Sequence, residues 1–442
     1  MTNTNGKKGI NPIIIIGMLF FAFGFITWIN GSLIPYLKIA CELQTNLQSY
    51  LVATAFFIAY TIMAIPASYV LKQTGYKKGM ALGLFVMAIG ALIFIPAAHT
   101  RNYNFFLTGL FVIGSGLALL QTASNPYISI IGPMESAAKR ISIMGICNKV
   151  AGIIAGLIFG YVALKDADQL EVRLKTMNAV AKNATLNELS SRVIIPYGII
   201  AAAFALLAVW ILFSSLPDIK DDNVDDTSTD NASQNQRTSI FQFPHLILGV
   251  VALFFYVGVE VMAGDTIISY GRSLGIGLST AMFFTQLTLV FMLTGYIIGI
   301  ICIPKYITQE KALAICAVLG VLFSAAAVCT TGMPSVIFIA MLGLANSLMW
   351  PAIFPLAING LGKFRKTGSA LLIMSIAGGA ILPLLYGALS DYGAANLINE
   401  GFKDAAAKAL AARHSYWIMI PCYLYILYYA IKGHKIKLTI DK

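Results

Sequence analysis

Apolar residues run along this chain in long unbroken stretches rather than in the alternation of a half-buried strand. A bilayer core about 30 Å thick is crossed by about 20 helical residues. On that scale twelve stretches qualify. The first six cover approximately 12–37, 48–72, 79–98, 103–131, 141–164 and 194–215. The second six cover approximately 243–270, 279–303, 311–331, 334–360, 367–390 and 414–432. Backbone amides cannot stay unpaired in lipid, so continuous apolar runs of this length predict helices. The first stretch is too long for the apolar part of a cleaved leader. Pro35, Tyr36 and Lys38 follow it instead of small residues, so it is predicted to remain as a span.

Three polar segments interrupt the pattern. Residues 217–240 are acidic, rich in Asn, Ser and Thr and nearly free of apolar side chains, which predicts a disordered linker near mid-chain. Approximately 165–193 and 391–413 carry Leu/Ala/Lys/Glu patterns and predict short amphipathic helices outside the membrane. The linker divides the chain into 1–216, 217–241 and 242–442, with six predicted spans on either side. NGSLIPY at Asn30–Tyr36 is similar to GDTIISY at Gly264–Tyr270, which pairs the first span with the seventh. SIMGI at Ser142–Ile146 is similar to LIMSI at Leu372–Ile376, which pairs the fifth with the eleventh. The expected fold is an all-α integral membrane protein of 12 transmembrane helices in two six-helix pseudo-repeats. That is the plan of major facilitator transporters, whose site lies between the halves near the midplane.

Composition agrees. Of 442 residues 58% are hydrophobic and 11% charged, and the mean hydropathy is +0.79. A soluble protein carries about 25% charged residues, so a soluble enzyme or a nucleic-acid-binding factor is excluded. The net charge of +11 belongs instead to the membrane topology. Lys72, Lys77, Lys78, Lys139, Arg140, Lys305, Arg365 and Lys432 fall on the side of the termini, against Lys38, Arg101 and Arg272 in the short opposite loops. By the positive-inside rule both termini are predicted to be cytoplasmic. The six cysteines are scattered, without the spacing of a disulfide framework or metal site. No nucleotide-binding loop or nucleophile elbow occurs, and the chain is not expected to be an enzyme.

Candidate chemistry lies in the few charges inside spans: Lys149 in GICNKVAGIIAG, and Glu260 and Asp265 in YVGVEVMAGDTIISYG. A charge at the bilayer centre costs at least about 2.5–3.5 kcal/mol and usually lines a pathway or pairs with another. A structural ion pair is the alternative for Lys149. Glu260 and Asp265 are five apart and point about 140° from each other on a regular helix, which predicts that they do not both face a cavity. Amides cluster nearby at Asn30, Gln121, Asn125, Asn148, Asn346 and Asn359, with Trp28 and Trp350. Amides supply donors and acceptors for sugar hydroxyls, and aromatic faces suit the apolar face of a pyranose. Helix–helix hydrogen bonding is the competing use for each amide.

Leu119–Gly152, LLQTASNPYISIIGPMESAAKRISIMGICNKVAG, resembles the helix 4–5 signature of the fucose:proton symporter family, in particular its bacterial glucose/galactose transporter branch. Phe23–Lys38, Phe85–Ala98, Tyr256–Val261 and Lys366–Gly387 are similar to that branch as well. The resemblance implies a monosaccharide symporter with the major facilitator fold, in the bacterial cytoplasmic (inner) membrane. The family motif has an Asp after the helix 1 Asn and a Glu before Thr-Ala-x-Asn-Pro on helix 4. Here those positions hold Gly31 and Gln121. Both acidic groups associated with proton coupling in the fucose members are thus absent, and the branch includes sodium-coupled transporters. The expectation is a hexose importer for glucose or galactose driven by sodium or a proton, needing no cofactor and no partner beyond sugar and lipid. A single chain contains both halves of the pathway, which predicts a monomer. Gln121, Asn125, Asn148, Asn346, Trp350 and Asn30 are expected to bind sugar, and Glu260, Lys149 and Asp265 to couple the ion. An N-acetylglucosamine or fucose symporter and a passive facilitator stay open as alternatives.

Overall fold

The computed structural model describes residues 12–130, 136–164, 166–214, 216 and 239–436, so most of the predicted linker lies outside the described residues. Among the described residues the regular structure is helical, without strands. Ten helical stretches are long and apolar enough to cross a bilayer. Asn46–Thr100 has 55 residues, and at 1.5 Å per residue it would be far longer than one crossing needs. It breaks at Gly75, whose φ of 75° and ψ of 172° suit a residue without a Cβ. It therefore holds spans 2 and 3. The last crossing, span 12, is the short Met419–Ile431 preceded by the turn Ser415–Ile418. The predicted twelve crossings are present.

The others follow the predicted order. Span 1 comprises Pro12–Trp28 and Asn30–Ala40, span 4 Tyr103–Ile130, span 5 Ala137–Leu164 and span 6 Ile194–Phe213. Span 7 comprises Pro244–Asp265 and Ile267–Ser273, span 8 Leu278–Ala281 and Phe284–Cys302, and span 9 Gln309–Cys329. Span 10 comprises Met333–Asn346 and Met349–Ile358; span 11 comprises Arg365–Met374, the turn Ser375–Ala377 and Gly378–Asn399. Span 11 extends nine residues past its expected end near 390, because Asp391 turns out to be a helix-cap partner rather than the start of a loop. Its carboxylate accepts the Asn46 and Leu47 N–H groups at 3.3 and 2.9 Å, at the start of span 2. The two predicted amphipathic segments are helices at Ala167–Leu174, Ala179–Ser191 and Asp404–His414.

Several spans are interrupted, a feature that hydropathy does not report. Span 10 breaks at Ser347–Leu348. Pro351 has no N–H to donate to the Ser347 carbonyl four residues back. Span 7 breaks at Thr266, whose hydroxyl bonds back to the Met262 carbonyl at 2.7 Å.

Small residues set the helix spacing. A Cβ on Gly24 would collide with the Asn148 backbone carbonyl, and one on Gly378 with the Phe254 carbonyl. Spans 1 and 5, and spans 7 and 11, thus touch backbone to backbone. The variant Gly24→Val is expected to force spans 1 and 5 apart and to lose about 1–3 kcal/mol. A lowered melting temperature of the purified protein checks this; an unchanged one contradicts the packing.

The face away from the termini carries polar links between the halves. Arg272 donates to the Glu171 carboxylate at 2.6 Å, and the Leu278 and Ser279 N–H groups donate to Asp168 at 2.6 and 3.1 Å.

Candidate functional site

A cavity of about 100 Å³, partly open to solvent, lies between the halves. Its wall draws on spans 1, 2, 4 and 5 of the first half and on 7, 8, 10 and 11 of the second. These are equivalent positions in the two six-helix repeats, so the cavity sits on the pseudo-symmetry.

Lys149 is 5% exposed and reaches from span 5 across the cavity to span 7. Its Nζ donates to Glu260 Oε1 at 3.0 Å and stands 4.1 Å from the Trp28 ring centroid. A buried ammonium therefore has both a carboxylate and an aromatic face. Trp28 fits there because its neighbours lack side chains. A Cβ on Gly152 or on Gly264 would stand 2.7 or 2.6 Å from the indole. The indole Nε1 donates to Asn148 Oδ1 at 2.9 Å. One aromatic side chain thus joins spans 1, 5 and 7 around the ion pair.

Span 4 supplies the amides. Gln121 and Asn125, four residues apart, share a helix face and both line the cavity. Gln121 Nε2 donates to the Tyr60 hydroxyl at 3.0 Å, and Asn125 Nδ2 donates to the Gln121 carbonyl at 3.1 Å. On the opposite wall Trp350 stacks on Phe354, with centroids 5.7 Å apart and planes at 19°, and approaches Tyr256 at 6.4 Å.

Of the expected residues, Gln121, Asn125, Asn148, Trp350, Lys149, Glu260 and Asp265 come together in this wall. Asn346 and Asn30 do not line it. Asn346 is fully buried and accepts a hydrogen bond from the Tyr423 hydroxyl at 2.8 Å. Asn30 is also fully buried, beside the break in span 1. The expectation that Glu260 and Asp265 would not both face the cavity needs correction, since both line it. They do diverge as the helix dictates. Glu260 turns to span 5, while Asp265 faces Gly31 on span 1 and Thr285 on span 8.

Sequence reading did not single out Thr27, Phe57, Tyr60, Tyr256 and Tyr296, which also line the wall. Tyr256 had a usable signal, because it stands one helical turn before Glu260. The others are aromatic or hydroxyl residues within apolar runs, where nothing marks them.

Residues 16–385 match the Major Facilitator Superfamily. The chain belongs to that superfamily. Among relatives of this major facilitator protein is the "Glucose/galactose transporter" of Brucella abortus biovar 1 (strain 9-941). It is 34% identical over 438 residues, covering 98% of this chain and 97% of that one. The "L-fucose-proton symporter" of Escherichia coli (strain K12) is 31% identical over 389 residues, covering 87% and 88%. The crystal structure of the major facilitator transporter FucP in the outward conformation superposes with a TM-score of 0.71. That match has 29% identity and covers 95% of this chain and 98% of that one. The agreement over nearly the whole length puts all twelve spans inside one fold, with the cavity where major facilitators hold their substrates.

Proposed function

We propose that this major facilitator protein is a sugar transporter that imports hexoses, glucose and galactose, by cation symport. The observation that carries the reading is the Lys149–Glu260 pair, which spans the two halves inside a cavity walled by amides and aromatic rings. The relatives named above, glucose/galactose and fucose transporters, support the substrate class.

In this reading 1–216 and 242–442 rock about the cavity, joined by the linker 217–241. Gln121, Asn125 and Asn148 meet the sugar hydroxyls, and the apolar face of the ring lies on Trp350. Asn346, which stands behind the wall, acts on the sugar indirectly by tying span 10 to span 12 through Tyr423, and Asn30, also behind the wall, makes no contact with the sugar. Closing one side and opening the other requires the Arg272–Glu171 and Asp168 links to part. The protein works as a monomer in the bacterial inner membrane, with both termini cytoplasmic.

Counterflow of labelled glucose in proteoliposomes tests the substrate. Unlabelled glucose and galactose inside should drive rapid entry of label, and external N-acetylglucosamine and fucose should compete poorly. Competition by N-acetylglucosamine or fucose alone would overturn the glucose and galactose assignment.

A further inference from the structure

The cavity wall holds three buried charged side chains, and the cation among them is already engaged. Lys149 pairs with Glu260. Asp265, 2% exposed, makes no hydrogen bond or ion pair with any described residue. A lone carboxylate removed from water is costly unless something neutralises it. The set of Lys149, Glu260 and Asp265 thus holds two carboxylates and one ammonium, and Asp265 is neutralised only by taking up a proton or a cation.

The surroundings of Asp265 are oxygen-rich. Asp265 Oδ1 and Thr285 Oγ1 lie 3.3 and 3.0 Å from the point where a Gly31 Cβ would stand, so both face the same gap. The Thr285 hydroxyl already donates its proton to the Gly264 carbonyl at 2.6 Å, leaving its lone pairs free to coordinate. On span 1, Thr27 Oγ1 and both amide atoms of Asn30 are buried without partners. Thr27 and Gly31 are four residues apart, and Asn30 is next to Gly31. Pro35 lacks an N–H, so the Gly31 carbonyl loses its helical donor. This is where two interrupted helices meet, span 1 broken after Trp28 and span 7 at Thr266.

We propose that a sodium ion binds in the gap between Asp265 and Gly31, held by the Asp265 carboxylate and by neutral oxygens of Thr285, Thr27, Asn30 and the Gly31 backbone. The inference rests on the cation-coupled reading above and assigns that cation a place separate from Glu260. One carboxylate among several neutral oxygens matches a hard monovalent ion; a proton would need only the carboxylate, and a divalent ion would need more charge. Trp28 supplies the link to sugar. Its ring packs on Gly264, next to Asp265, while its Nε1 holds Asn148 and its face covers Lys149. An ion that fixes Asp265 thus favours one position of the indole and, with it, one arrangement of the sugar amides.

Binding of radioactive sodium to the purified full-length protein, with choline replacing sodium as the control, tests the site without any sugar. The wild type should bind sodium saturably, and Asp265→Asn should lose that binding. Gly31→Ala keeps the carboxylate but crowds the gap, and should weaken binding roughly tenfold. Because its change is small, it separates loss of the site from loss of the fold. Wild-type-like sodium binding by Asp265→Asn, or no saturable binding by folded wild type, would overturn the proposal. Hexose transport without sodium binding would sink this site and leave the sugar reading intact. Sodium binding that depends on Asp265 in a protein that moves no hexose would do the reverse.

Discussion

Removing the carboxylate at position 260 should be among the most damaging single changes in the protein. Glu260→Ala leaves the Lys149 ammonium buried with only the Trp28 ring beside it. Breaking a buried pair from one side costs about 3–5 kcal/mol, because an uncompensated charge remains. The expected result is a large fall in melting temperature together with loss of concentrative sugar uptake. The isosteric Glu260→Gln keeps an oxygen for Lys149 to donate to and should spare more of the stability. It should still abolish accumulation against a gradient while leaving exchange measurable. Replacing both partners, Lys149→Met with Glu260→Leu, removes the stranded charge and should recover most of the stability but none of the accumulation. If accumulation returned with stability, the pair would be a structural strut and no part of the transport machinery.

The second large effect should come from Trp28. Its indole is 4% exposed, fills the space left by Gly152 and Gly264, donates to Asn148 and covers Lys149. Trp28→Ala opens a void among three spans, and truncating a buried aromatic costs about 3–5 kcal/mol. The cation–π contact adds about 0.5–2 kcal/mol to that loss. Trp28→Phe keeps most of the packing and removes the hydrogen bond, worth about 0.5–1.5 kcal/mol. The alanine variant should therefore be unstable and inactive, and the phenylalanine variant stable with weakened sugar affinity. Thermal unfolding and counterflow on the two variants check this. Equal sugar affinity in Trp28→Phe and wild type would mean that Asn148 does not depend on the indole for its placement.

Most of the fold was legible because the bilayer imposes one rule on every span. Length and continuity of apolar residues located the twelve crossings, including the two that run together through Gly75. The breaks in spans 1, 7 and 10 were not legible. Pro351 marks one of them, but prolines also occur inside unbroken helix at Pro66, Pro96 and Pro383, so proline alone does not distinguish the cases.

At the site, charge in an apolar run was the strong signal, and the three residues it marks, Lys149, Glu260 and Asp265, all line the cavity. Their partnering was not readable, since Lys149 and Glu260 are 111 residues apart and meet only because the halves face each other. Amides were a weaker signal for the reason Asn346 illustrates. An Asn inside a span can serve a cavity or a neighbouring helix, and Asn346 bonds to Tyr423 of span 12. The same ambiguity hid Tyr60 and Tyr296, whose rings look like any other apolar filling until the packing places them on the wall.

The central claim, that the cavity carries a hexose driven by a cation gradient, is tested most directly by uptake of labelled glucose. The full-length protein would be reconstituted into proteoliposomes at equal pH on both sides, with and without an inward sodium gradient. The account predicts sugar accumulation above the external concentration with the gradient, and equilibration without it. Uptake that only equilibrates in both conditions would contradict sodium-driven symport.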